Sequence, residues 1–332
     1  METRKVYKTG GSTYVISLPK KWVKRNKIKA GDSLVVTRQA GTLLIEPGIV
    51  EQGPWVVEIK TSEVPSKEAL KRLIIAYYLV GCATIKIRLD RDSVGFKESA
   101  RKILDFLIGV EIVEDLGNSI TMEILLDHQR MPTPQALRRI HLIIKSMLND
   151  AIEVMEHGDE QLARDIITRE REVDRLYFLV IRQLKSAVQY QQIAEKLGIE
   201  NQRDSLGYRI VVKSLERIAD HIESVMRSYL LLNAVEKKPE LRELIKLAKS
   251  ITEVYDSSVE AIFKKDRLQA EEVFQDLKNI KVHHKWLSDQ LFKGTVDVSS
   301  AIHRKSILDS LGRIASYSSD IAEIALNLSV EA

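Results

Sequence analysis

Ser214-Leu215-Glu216-Arg217-Ile218-Ala219 recurs as Ser310-Leu311-Gly312-Arg313-Ile314-Ala315, an offset of 96 residues. Each copy lies in the third of three segments with helical periodicity. In the first set Leu137, Ile140, Ile143, Ile144, Met147, Leu148, Ala151 and Met155 recur at three and four residues, the stripe of a core-facing helix that begins near Gln135. Gly158-Asp159 ends that helix and caps the next, which runs to about Tyr190. The third begins near Asp204 and is expected to bury Ile210, Leu215, Ile218, Ile222, Val225 and Tyr229. Pro239 introduces a second set over residues 241–263, 267–291 and 298–328. A recurrence placed this way implies a duplicated three-helix unit. Residues 131–332 therefore read as all-α tandem three-helix bundles, one over 131–235 and the other over 236–332.

Upstream the period changes. Within residues 51–130, residues 55–59 and 84–88 alternate as strands, residues 67–79 and 96–108 have helical spacing, and residues 110–113 and 119–126 make a hairpin about Gly117-Asn118. The order β-α-β-α-β-β implies a small α/β domain with helices over a sheet. It contains no phosphate loop, catalytic pair or metal spacing, and reads as a spacer or dimerisation element.

Residues 1–50 differ again. Apolar Val6, Tyr14, Ile16 and Leu18 flank Gly10-Gly11, the pattern of a tight hairpin. Pro19 ends the second strand and opens a short helix; Gly31-Asp32 turns into a strand over residues 33–38, and Gly41 into another over 42–46. Four short strands and one helical turn bury too little to stand alone, so this domain is expected to dimerise. It holds ten Lys and Arg against Glu2, Asp32 and Glu46, a net charge of +7, which leaves −3 on the rest of a chain whose total is +4. A basic end on a mildly acidic body is the electrostatic footprint of a nucleic-acid reader; a solvated basic face or a membrane-surface patch is the alternative.

Glu216, Asp220 and Glu223, at i, i+4 and i+7, project from nearly one helix face, and Glu170 and Asp174 repeat the i,i+4 spacing on the preceding helix. Like charges one turn apart cost a few tenths of a kcal/mol each, a penalty that a shared cation reverses. An oxygen-rich site of this kind suits iron, manganese, magnesium or calcium. The competing reading is a solvated face in which Arg217 pairs with Asp220 at i+3.

Two resemblances now enter. Lys5-x-x-Lys8-x-Gly10-Gly11-Ser12, Val15-x-Ser17-Leu18-Pro19-Lys20-x-Trp22 and Ile28-x-x-Gly31-Asp32 together resemble the AbrB/SpoVT swapped-hairpin DNA-binding family over about residues 3–47. In that family two chains exchange hairpins into one β-barrel. The resemblance implies Arg4, Lys5, Lys8, Ser12 and Thr13 as DNA contacts, with Lys20 and Lys21 as backbone clamps. Leu215-Glu216-Arg217-Ile218-Ala219-Asp220-His221 resembles the Glu-Arg-Ile-Gly-Asp-His signature of PhoU, and Ile314 to Glu323 the related end of its second repeat. The likeness, to archaeal-type PhoU-like regulators of phosphate uptake, covers about residues 135–330 and implies multinuclear metal sites. Carried onto this chain it makes Glu216 and Asp220 the leading metal ligands and Asp174 and Glu170 the further ones, with His221 in a polar network. In the second copy Gly312 and Ser316 replace both leading carboxylates, Asp320 and Glu323 are displaced along the helix, and His283-His284 are adjacent. In the first, Tyr177 and Ile181 stand where relatives often carry acids. A divalent or iron-type metal is thus expected at one site at most, in the first bundle.

Cys82 is the sole cysteine, which excludes an intrachain disulfide and a cysteine cluster and fits a reducing cytoplasm; its neighbours mark a small buried hydrophobe. The N-terminus lacks the apolar core of a secretory signal, and no apolar run has membrane-spanning length. No Walker loop, nucleophile elbow or Ser/His/Asp order suggests an enzyme. The expectation is a cytoplasmic, homodimeric, DNA-binding regulator of phosphate homeostasis, its partners being DNA, a second copy through the N-terminal domain and a membrane phosphate transporter component, without membrane insertion. A PhoU-like partner of a transporter or kinase with no specific DNA target is the alternative, and a metal-storage protein the third.

Overall fold

The computed structural model describes residues 2–39, 41–47, 55–90, 94–127, 130–232, 241–291 and 297–330. It divides into two compact units, residues 1–55 and 56–332.

In the first unit β1 (Val6–Thr9) and β2 (Thr13–Ile16) pair antiparallel, Val6 opposite Ile16 and Lys8 opposite Tyr14. Gly10 turns the hairpin at φ +62°, a conformation that costs glycine nothing. Pro19 sits at the N-cap of α1 (Lys20–Arg25), one position before the first helical residue expected for it, and its carbonyl accepts from the Val23 N–H at 3.0 Å. Then β3 (Leu34–Gln39) and β4 (Thr42–Pro47) form a second antiparallel hairpin about Gly41, φ +83°, with β3 shifted one residue toward the C-terminus from the expected 33–38 and β4 one residue longer than the expected 42–46. The two hairpins remain separate two-stranded sheets. Among residues 2–36, 41–45 and 47 none is buried; Val6 is 62% and Tyr14 70% exposed. Two isolated ribbons with both faces wet do not make a core in water.

The second unit starts with an α/β layer: β5 (Val56–Lys60), α2 (Lys67–Leu79), β6 (Thr84–Arg88), α3 (Val94–Lys102), β7 (Val110–Leu116) and β8 (Ser119–Ile124). The sheet order is β5-β6-β8-β7, with β5 and β6 parallel and the other pairs antiparallel. The segment expected as one helix over 96–108 stops at Lys102. A 3-10 turn (Ile103–Asp105) follows, and Gly109 at φ +75° carries the chain into β7. Leu70, Ile74, Tyr78, Ile85, Ile87, Ile120 and Met122 form the core of the layer, with Cys82 fully buried beside them. Burial pushes the Cys82 thiol up, away from reactivity.

The helical body follows as α4 (Thr133–His157), α5 (Glu160–Gln189), α6 (Gln191–Lys196), α7 (Asp204–Leu230), α8 (Arg242–Lys264), α9 (Arg267–Gln290) and α10 (Val298–Leu328). The two copies repeat one corner. Gly158, φ +85°, ends α4 and Asp159 caps α5 by accepting from the N–H groups of Gln161 and Leu162; Lys265, φ +53°, ends α8 and Asp266 caps α9 from Leu268 and Gln269. The short α6, absent from the sequence reading, lies between α5 and α7. The six long helices share one continuous core: α10 packs on α7, α8 and α9, while α4 packs on α5, α7 and α8. Ile210 departs from expectation, being 48% exposed while Val211, Val212 and Leu215 face the core. Periodicity finds the apolar sector of a helix, but its neighbours decide how wide a sector they cover.

Arg182 of α5 ties body to layer. Its guanidinium is buried, donates to the carbonyls of Tyr78 and, at 3.1 Å, Cys82, and lies 5.0 Å from the Tyr78 ring centroid. Arg182→Met keeps the stem and removes the donors, which should cost about 1–3 kcal/mol. A lowered urea midpoint would show this, whereas an unchanged midpoint would mean that the bonds contribute nothing net.

Candidate functional site

On α5, Glu170 and Asp174 stand one turn apart, and α7 packs alongside. The structure brings these two carboxylates to Asp220 of α7, with one oxygen from each lying within 4.8 Å of the others. All three are half-buried. Burial, then the neighbouring carboxylates, raise the pKa of each: Asp220 to about 6, and Glu170 and Asp174 also upward as a pair joined by a hydrogen bond. Lys213 and Arg217 offset the rise only in part, and three converging acids with no ion-paired cation among the described residues would hold protons or a metal ion. The donor set fits a metal. It is all oxygen, and oxygens across a hard cation at 2.0–2.6 Å are about 4–5 Å apart.

Glu216, the leading ligand of the sequence reading, stands beside this group without joining it. Lys213 donates to its Oε1, and Arg217 approaches Oε2 at 3.8 Å. Arg217 stands beside Glu216 and makes no ion pair with Asp220, yet its charge, with that of Lys213, still works to lower the Asp220 pKa. Glu223 is held by Arg227 through bonds of 2.9 and 2.6 Å. His221 stacks on Tyr317 with centroids 5.9 Å apart, and burial, with Arg313 and Arg217 near it, lowers its pKa.

The second copy offers no equivalent among the described residues. Aligning the caps Asp159 and Asp266 sets Glu170 against Leu277 and Asp174 against Lys281. Gly312 has a packing reason: a Cβ there would meet His284 Nε2 at 2.7 Å, and that nitrogen bonds the Leu308 carbonyl at 3.1 Å. His283 turns away to Glu243 at 3.3 Å.

In the first unit Arg4, Lys5, Lys8, Ser12, Thr13, Lys20 and Lys21 are all exposed. Arg4, Lys20 and Lys21 line one concavity with Glu2 and Lys24; Arg4 pairs with Glu2. Lys24 counted only as charge in the sequence, although its place one helical turn from Lys20 and Lys21 was a usable signal. Lys5 immediately precedes β1, while Lys8 lies in it opposite Tyr14, next to the turn that carries Ser12.

Sequence reasoning also missed a seam between the repeats. Buried His141 of α4 has Nδ1 3.2 Å from the Tyr255 hydroxyl and Nε2 3.2 Å from Asp256 of α8; Arg138 pairs with Glu260, and Lys145 reaches Asp256 at 2.8 Å. Partners more than a hundred residues apart leave no local signal.

Residues 137–228 match the PhoU domain family, and residues 7–52 match the family of MazE, the bacterial antitoxin of antidote-toxin recognition. The phosphate transport system regulatory protein PhoU of Streptococcus pneumoniae is similar in structure, with 17% identity and a TM-score of 0.51, over 59% of this chain and 92% of that one. PhoU of Pseudomonas aeruginosa is similar at 18% identity and a TM-score of 0.51, over 59% and 94%. At this identity the likeness shows the fold. No curated protein matches the sequence. The chain therefore joins a MazE/AbrB-like N-terminal domain to a PhoU domain. No helix among the described residues is long and apolar enough to cross a membrane.

Proposed function

We propose that this chain is a homodimeric DNA-binding regulator of phosphate uptake, acting in the cytoplasm and without enzymatic activity of its own. The observation that carries this reading is the joining of a coreless, strongly basic hairpin unit to a body with the PhoU fold. The PhoU relative from Streptococcus pneumoniae is named as a regulator of a phosphate transport system, and the MazE/AbrB-like domain supplies a DNA-reading surface. Lys5, Lys8, Lys20 and Lys21 neutralise phosphates and release counterions, so binding should weaken steeply with salt. Titrating the purified protein against the DNA upstream of its own gene at several salt concentrations tests this reading. Saturable binding with a negative log–log slope supports it. Equally weak binding to that DNA and to random DNA favours a transporter or kinase partner with no DNA target.

In this reading Glu170, Asp174 and Asp220 hold the metal, and the charge of Glu216, which reaches Asp174 and Asp220, adds to the negative field that attracts it. A cation there supplies a clamp between α5 and α7 and removes the repulsion among the carboxylates. The pH dependence has a definite sign. Each folded pKa lies above its unfolded value, so the metal-free protein keeps this contribution at low pH and loses it as pH rises through about 6 for Asp220. A Glu170→Gln, Asp220→Asn variant should therefore differ least from wild type near pH 3.5 and melt a few degrees above it at pH 9, above the raised values of about 6 for Asp220 and about 8 for Glu170, an effect of about 1 kcal/mol. Added manganese or magnesium should raise the melting temperature of wild type only. Identical melting curves for the two proteins at both pH values would show that the acids do not interact.

A further inference from the structure

A second site lies on α7, where a column of cations runs through the same turns that carry Glu216 and Asp220. Arg209, Lys213 and Arg217, at i, i+4 and i+8, line a cleft of about 580 Å³ with Ile210, Ser214 and Tyr317. Three cations in one column repel one another; Glu216, outside the lining, pairs with Lys213 and stands 3.8 Å from Arg217, leaving one acid against three cations and none facing Arg209 in the cleft. The side chains are nonetheless positioned. The Tyr177 ring lies 5.7 Å from the Arg209 guanidinium and 5.0 Å from the Lys213 ammonium, a support by cation–π attraction. Lys213 spends one of its three donors on Glu216 and keeps two. Ile210, which the helical pattern places in the core, is exposed at the floor instead. Ser214 and Tyr317 carry hydroxyls that can donate.

Successive cations four residues apart are separated by about 6 Å along the axis, so the column spans about 12 Å. A single tetrahedral anion engages one or two members of such a column; a linear chain of anionic groups engages all three. We propose that this cleft binds a chain of phosphoryl groups, as found in inorganic polyphosphate and in the phosphate tail of a nucleotide. The arginine forks take paired oxygens, and Lys213 acts as the point charge between them.

The test is calorimetric titration of the full chain, without added divalent ions, with tripolyphosphate, orthophosphate and ATP. Tripolyphosphate should bind saturably at one site per chain, at least about tenfold tighter than orthophosphate. Arg209→Gln with Arg217→Gln removes two charge-assisted contacts between exposed residues and should weaken tripolyphosphate roughly a hundredfold, with the circular dichroism unchanged. The Lys5→Ala, Lys8→Ala variant should bind it like wild type. ATP binding more tightly than tripolyphosphate assigns the nucleotide as the source, through the apolar floor at Ile210; the reverse order assigns inorganic polyphosphate. The proposal is overturned by absence of saturable binding, by orthophosphate binding equally well, by an unchanged affinity in the Arg209, Arg217 variant, or by loss of binding in the Lys5, Lys8 variant.

Discussion

A Lys5→Ala, Lys8→Ala double variant is expected to lose DNA affinity by about a hundredfold or more at physiological salt, with a slope of log affinity against log salt shallower by about 0.9 for each phosphate contact removed. In a dimer each substitution counts twice, so the slope should fall by more than two. Both lysines are exposed and neither belongs to a core, so the variant should keep the helical circular dichroism of wild type. The loss should be similar on specific and random sequences, because phosphate contacts position the protein without reading bases. Unchanged affinity and slope would take both residues out of the interface.

Assembly is expected to respond as strongly. Val6 and Ile16 face each other across the first hairpin, and both are exposed there, as are Tyr7, Tyr14 and Val15. Covering a side chain of this size is worth about 1.5–3 kcal/mol, and a dimer made by exchanged hairpins covers each one twice. Val6→Asp with Ile16→Asp sets two carboxylates opposite each other at that position and should make the full chain monomeric at concentrations where wild type sediments as a dimer. The PhoU-like body should stay folded in the variant, since its core is its own. A wild-type chain that sediments as a monomer, or a variant that stays dimeric, would end the hairpin-exchange account.

Much of this architecture could be read from the chain because its signals are local. Gly158-Asp159 marks a helix end and a helix start within two residues, and α10 runs over 298–328 as expected because Asp297 caps it, accepting from the Ser300 N–H. The duplicated Ser-Leu-x-Arg-Ile-Ala step located equivalent third helices without any knowledge of their packing. The candidate site was only half legible. The spacing put Glu216 and Asp220 on one face of α7, but which of them meets α5 depends on how the two helices are rotated against each other, which no single-helix pattern contains. The partners that rotation selects, Glu170 and Asp174, were visible as an i,i+4 pair and ranked second. Ile210 shows the same limit: its spacing is that of a core residue, and nothing in the sequence indicates that the covered sector stops short of it. The seam about His141 and the anchor at Arg182 depend on contacts across about a hundred residues and left no pattern to find.

Occupancy of the genome by this protein, mapped in phosphate-replete and phosphate-starved cells, tests the central claim most directly. The account predicts a small number of sites, some of them upstream of phosphate-uptake genes, whose occupancy changes with phosphate supply and disappears in the Lys5→Ala, Lys8→Ala variant. A protein that is present at normal levels under both conditions and enriched at no locus would contradict it.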